Sequence, residues 1–152
     1  MDINNNNNAV YLNGVLDAIS VFCDDTDFVS MYGAICLEPG SSRDRSVLVK
    51  GLNIFSPNTI IDSSEVVEWS GRFNFLFNKW VKKKLLTDNS SVSMSDRIEQ
   101  LYELIYEKIE SGGEVVNSLH ICLTGDNWEY DAECLVLDYG NECYALYFMY
   151  SD

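Results

Sequence analysis

The chain contains one histidine, His120, with a cysteine two residues further on at Cys122, and 24 carboxylates. A thiol beside an imidazole can act as an activated nucleophile, provided a third group orients the ring. Asp131 is the carboxylate that a short hairpin would bring opposite His120. The flanking sequence does not resemble that of a known cysteine nucleophile, and nothing in it supplies an oxyanion hole. Paired carboxylates serve glycosidases and metal-dependent phosphoesterases, so residue type alone leaves a small acid–base enzyme using His120 or carboxylates as an alternative. The run Asp24-Asp25-Thr26-Asp27 superficially suggests a calcium loop, but it lacks the glycine and the distant bidentate glutamate of that loop. The five cysteines (Cys23, Cys36, Cys122, Cys134 and Cys143) form no C-x-x-C pair. They read as reduced thiols in a reducing cytoplasm rather than as zinc ligands or disulfides. No glycine-rich phosphate loop is present. The sequence therefore points to no catalytic residue, no metal and no cofactor.

Charge is the most unusual property. Ten basic residues stand against 24 acidic ones, a net of −14. Residues 1–42 hold six acids and no Lys or Arg, and residues 109–152 hold nine acids and again none. All ten basic residues lie between Arg43 and Lys108, beside nine acids. The two ends thus carry −15 and the middle +1. Such a field repels nucleic acid and anionic membrane surfaces and speeds encounter with basic partners.

Any such surface must be positioned by a folded core, and the composition supports one. With 152 residues, 47% of them hydrophobic, the chain is long enough to bury a core without disulfides and too apolar to be disordered. No apolar stretch reaches a membrane span, and Met1-Asp2-Ile3 lacks the basic start of a signal peptide. The expectation is a single α+β domain over residues 1–152. In it, an antiparallel sheet that includes a C-terminal three-stranded meander is packed by about three helices on one or both faces.

Along the chain, Asn4 to Asn8 read as a flexible lead-in (residues 1–8) whose last member caps a helix beginning at Ala9. Leu12, Val15, Leu16, Ile19 and Phe22 form its apolar face. Phe28 to Leu37 and Ser46 to Phe55 read as two strands of a hairpin joined by Glu38-Pro39-Gly40-Ser41-Ser42. Thr59 to Ser70 has no clear period, and Asp62-Ser63-Ser64-Glu65 could begin a short helix. Phe73, Leu76, Phe77, Trp80, Val81 and Leu85 repeat at helical spacing. Lys79, Lys82, Lys83 and Lys84 lie off that stripe, where they form a solvated helix face, or less simply a phosphate patch. A third helix runs from a capping box at Ser93 and Asp96 to Gly112-Gly113, with Ile98, Leu101, Leu104, Ile105 and Ile109 inward.

From Glu114 onward the pattern is β. Gly125-Asp126 and Gly140-Asn141 each read as a two-residue hairpin turn. With the first, Leu123 faces Trp128, Ile121 faces Tyr130, His120 faces Asp131 and Cys122 faces Glu129. A slip by one would place carboxylates in the core. The second turn sets Val136 against Ala145, Cys134 against Tyr147 and Ala132 against Met149. Leu119, Ile121 and Leu123 join these on the face assigned to the helices. The other face carries His120, Cys122, Glu129, Asp131 and Glu133, then Leu135, Leu137, Tyr144, Leu146, Phe148 and Tyr150. Its large apolar groups call for a further helix over Leu135, Leu146 and Phe148, or else make part of this face an interface with aromatic anchors beside the acidic row. Its acidic row, alternate residues about 6.6–6.8 Å apart, matches the spacing of neighbouring nucleic-acid phosphates.

In size, and in the acidic segments 24–27 and 126–133, the chain resembles the immunity proteins that bacteria pair with polymorphic or contact-dependent growth-inhibition toxins. The resemblance implies a cytoplasmic, monomeric inhibitor that binds one basic toxin domain, most often a nuclease, and blocks its substrate site. The candidate partner surface is Glu129, Asp131 and Glu133 with Asp126, Tyr150, Asp24, Asp25 and Asp27. It implies no contact with nucleic acid or membrane. A phage-type nucleic-acid mimic that inhibits a defence nuclease would use the same physics. A scaffold protein would carry its acidity for solubility alone.

Overall fold

A computed structural model describes residues 3–24, 29–52, 59–87, 90–124 and 130–151. It is α+β: one fully antiparallel five-stranded sheet in the order β1-β5-β4-β3-β2, with helices on both faces. The strands are β1 (Val29–Leu37), β2 (Thr59–Glu65), β3 (Asn117–Thr124), β4 (Tyr130–Asp138) and β5 (Cys143–Ser151). The helices are α1 (Ile3–Phe22), α2 (Arg45–Gly51), α3 (Trp69–Phe77), α4 (Lys83–Leu85) and α5 (Val92–Glu110). A π-helical turn, Asn78–Lys82, makes α3 and α4 continuous. No described helix is long and apolar enough to cross a membrane.

The meander β3-β4-β5 forms as expected, and the β4–β5 register is the expected one: Val136 faces Ala145, Cys134 faces Tyr147 and Ala132 faces Met149. Gly140, at φ 93°, turns the chain between Tyr139 and Glu142. The β3–β4 register differs by four residues. Cys122 faces Glu133, Leu123 faces Ala132 and Thr124 faces Asp131. An even slip returns every side chain to its original face, so the test of polar against apolar residues cannot detect it. The expected turn at Gly125-Asp126, with Trp128 and Glu129, lies outside the described residues.

Both faces of the sheet are covered, but not as expected. The three long helical segments lie over Leu135, Leu137, Tyr144, Leu146 and Phe148. They add Leu12 and Leu16, Phe73 and Phe77, and Ile105 and Ile109 to one large core. The face of Leu119, Ile121, Leu123 and Val136 carries a smaller core closed by Leu48 and Leu52. Side-chain size decides the matter: Tyr, Phe and Leu fill the deep layer beneath long helices. Ala132, Cys134 and Ala145 on the other face let a short element come close.

That short element is α2, which replaces the expected second strand of an N-terminal hairpin. Asp44 caps it, accepting from the Ser46 amide (3.0 Å) and the Val47 amide (3.3 Å). Leu48 and Leu52, four apart, point together onto the sheet, whereas a strand would have turned Val47 and Val49 to the core instead. The sheet's far strand is β2, in the stretch that carried no clear period. A bulge between Ile60 and Asp62 breaks its alternation.

Helix α1 begins at Ile3 and takes in the asparagine run expected to be a lead-in. Extending a helix already anchored at Ala9, Leu12 and Leu16 costs far less than nucleating one. α5 is capped by Ser91, whose Oγ accepts from the Met94 amide (3.1 Å), two residues earlier than the expected Ser93. It ends at Gly112-Gly113 as expected, with Gly113 at φ 105°.

Candidate functional site

Two surfaces of this fold gather groups that can do chemistry or bind a partner. The first is a polar cluster where β3 and β4 meet the α3–α4 helix. His120 and Cys122, two apart on β3, share one side of the sheet, and the β3–β4 register sets Glu133 directly opposite Cys122. Lys79 and Trp80 reach down from the π turn, and π-helical segments are often found at functional positions. Tyr32 Oη donates to the Trp80 carbonyl within that turn (2.6 Å) and fixes it to β1.

Glu133 is the hub. Its Oε2 accepts from Trp80 Nε1 (2.6 Å) and pairs with Lys79 Nζ (2.8 Å), while Oε1 lies 3.3 Å from His120 Nε2. Burial alone would raise its pKa. Hydrogen bonds from His120, Lys79 and Trp80, with the Lys79 charge, outweigh burial and hold it at about 2. Arg72 Nη1 sits 2.7 Å from His120 Nδ1. A guanidinium only donates, so Nδ1 accepts and the ring proton is on Nε2, directed at Glu133. Cys122 Sγ lies 4.0 Å from the same Nε2 and 3.8 Å from Glu133 Oε1.

This geometry does not build the Cys–His nucleophile that residue types allow. A relay needs the thiol on one ring nitrogen and the orienting carboxylate on the other. Here both face Nε2, which is already a donor, and Nδ1 is taken by Arg72. What the geometry does build is proximity, with a ring nitrogen, a sulfur and a carboxylate oxygen all within 4.8 Å of one another. Cys122 and Glu133 also line a cavity of about 370 Å³ with Lys79, Trp80, Lys84 and Tyr150.

The second surface runs along α5. Asp96, Glu99, Glu103, Glu107 and Glu110 are spaced 3, 4, 4 and 3 residues apart and are all exposed. At 3.6 residues per turn they fall within about 80° of arc. Lys82 pairs with Glu99. Among the described residues, Glu103, Glu107 and Glu110 have no ion-pair partner. Tyr102 and Tyr106 line a shallow groove with these three carboxylates. Their rings are held from behind, Tyr102 stacked 5.2 Å from Phe73 and Tyr106 5.0 Å from Trp69.

The expected partner surface is only partly brought together. Glu133 does not stand in a wet acidic row, because it is buried and fully engaged by the cluster above. Tyr150 forms a wall of the cavity, its ring 5.4 Å from that of Trp80. Asp131 lies on β4 between Thr124 and Tyr150, not opposite His120. Asp24 is exposed and accepts from the Ser30 amide on edge strand β1 (2.7 Å). Asp25, Asp27, Asp126 and Glu129 lie outside the described residues. The α5 stripe was missed by sequence reasoning, although its 3-4-4-3 spacing is a signal as regular as the apolar one on the same helix. No family model matches the chain, and no curated protein matches it in sequence.

Proposed function

We propose that this chain is an acidic inhibitor of the immunity-protein kind, one that binds a basic toxin domain of the nuclease class and occludes its substrate site. The observation that carries the reading is the α5 stripe. Five carboxylates occupy one narrow face, four of them (Asp96, Glu103, Glu107 and Glu110) without an ion-pair partner among the described residues, beside two tyrosines held in place by the core. Like charges four residues apart destabilise a helix by about 0.2–0.5 kcal/mol per pair, so the arrangement works against the free fold. A cationic partner would reverse that cost, and rigid tyrosines are efficient anchors at an interface. The field of −14 would steer the encounter. Five cysteines outside any disulfide suit a reducing cytoplasm, where such an inhibitor would act.

The test is capture from the lysate of the source organism at low and high salt, with wild-type protein and the triple variant Glu103→Lys, Glu107→Lys, Glu110→Lys run side by side. The expected result is one basic protein retained near stoichiometry at low salt, released at high salt, and bound at least tenfold more weakly by the variant. Its activity would then name the reaction that is blocked. Retention indifferent to salt, or equal retention by the variant, would overturn the proposal.

A further inference from the structure

We infer that His120, Cys122 and Glu133 form a binding site for a borderline-soft divalent cation of the zinc type, independent of the acidic partner surface on α5. Three donor atoms from two adjacent strands converge: Nε2 of His120, Sγ of Cys122 and Oε1 of Glu133. Their separations are 3.3 Å (N to O), 3.8 Å (S to O) and 4.0 Å (N to S). The point equidistant from all three lies about 2.2 Å from each, within the span of zinc bonds to nitrogen, oxygen and sulfur, about 2.0–2.3 Å. A closer tetrahedral arrangement asks the sulfur to move by a few tenths of an ångström. The donor types select the metal: imidazole with a thiolate suits zinc or cobalt and disfavours magnesium and calcium, which take oxygen ligands.

The surroundings are those of a metal site. The two strands are directly hydrogen-bonded, and His120 and Glu133 are both buried. Oε2 of Glu133 is held by Trp80 and Lys79, so Oε1 is aimed while the other oxygen is fixed. Three protein ligands leave a fourth position, and Cys122 and Glu133 both border the cavity. Open tetrahedral sites of this kind admit water or an anionic ligand. Lys84 on the cavity wall would favour the anion.

Occupancy requires two changes, and both can be measured. Cys122 binds as the thiolate, so its proton leaves to solvent, one per metal. Metal on Nε2 moves the ring proton to Nδ1, where it confronts the Arg72 guanidinium, a donor that must then withdraw. Arg72 therefore acts as a gate that opposes the metal. A side chain there that accepts from Nδ1–H would tighten binding.

The experiment is cobalt(II) titration of the reduced, chelator-treated full chain. The expected result is one equivalent bound, with a thiolate-to-cobalt charge-transfer band and the visible bands of a four-coordinate ion, all abolished by zinc. Cys122→Ser should lose the charge-transfer band while Cys36→Ser keeps it. His120→Ala removes a ligand outright and should weaken binding by more than the about 10–100-fold typical of losing an outer-shell partner. Arg72→Gln should bind several-fold more tightly than wild type, a gain that no loss of folding can imitate. Absence of the band in the wild-type protein, its survival in Cys122→Ser, or weaker binding by Arg72→Gln would each overturn the assignment.

Discussion

At the scale of single residues, Glu133 shows how one carboxylate can look like part of an exposed acidic row in sequence and be the buried hub of a polar cluster in space. Its alternation with Glu129 and Asp131 suggests a wet row, but Trp80 and Lys79 arrive from a helix some fifty residues away in sequence, and no local pattern announces that meeting. The consequence can be read as pH dependence. The folded carboxyl titrates at about 2 against an ordinary 4.5, so the stabilisation is fully present above pH 4.5 and is lost as pH falls through 2. Because Lys79 is half exposed and solvent screens its charge, the contribution is less than the full shift implies, about 2 kcal/mol. Glu133→Gln should therefore lose about 2 kcal/mol in urea unfolding at pH 7 with chelator present, and progressively less as pH approaches 2. An equal loss at pH 7 and pH 2.5 would mean that packing, not charge, is responsible.

At the scale of elements, what was legible in the sequence is what carries its own local period. The stripe and glycine stop of α5, the helical spacing from Phe73 to Val81, and the Gly140-Asn141 turn that fixes β4 against β5 all rest on short-range geometry. Where the expectation failed, a long-range partner had the deciding vote. The β3–β4 slip of four residues preserves every inside-outside relation, so only the tertiary fit could choose it, and that choice is what brings Cys122 and His120 to Glu133. α2 failed for a different reason. Val47, Leu48 and Val49 favour a strand by propensity, and the Asp44 cap together with the burial of Leu48 and Leu52 overrides them. If that account is right, Asp44→Ala should cost about 1 kcal/mol in denaturant unfolding, and Asp44→Asn, which still accepts from the Ser46 amide, should recover most of it. A silent Asp44→Ala would show that burial of the two leucines alone makes the helix.

At the scale of the whole molecule, the question is whether the net charge of −14 serves a partner or only solubility, and the free fold itself can answer part of it. Charge placed for solubility alone has no reason to gather on one helix face, because dispersing it lowers self-repulsion for the same net total. The α5 stripe gathers it, at a cost. Replacing Glu103, Glu107 and Glu110 together with Gln should leave the helix content unchanged and stabilise the isolated protein by about 0.5–1 kcal/mol, since it removes the like-charge pairs Glu99–Glu103, Glu103–Glu107 and Glu107–Glu110. The same variant should show a smaller gain in stability on raising salt from 20 to 200 mM than wild type does, because less repulsion is left to screen (about a 10 Å Debye length near 0.1 M). Unfolding curves at the two salt concentrations decide it. If the variant proves less stable than wild type by 1 kcal/mol or more, the carboxylates are making stabilising contacts within the fold. The stripe then ceases to be a strained surface waiting for a cation, and the case for an inhibitor loses its main support.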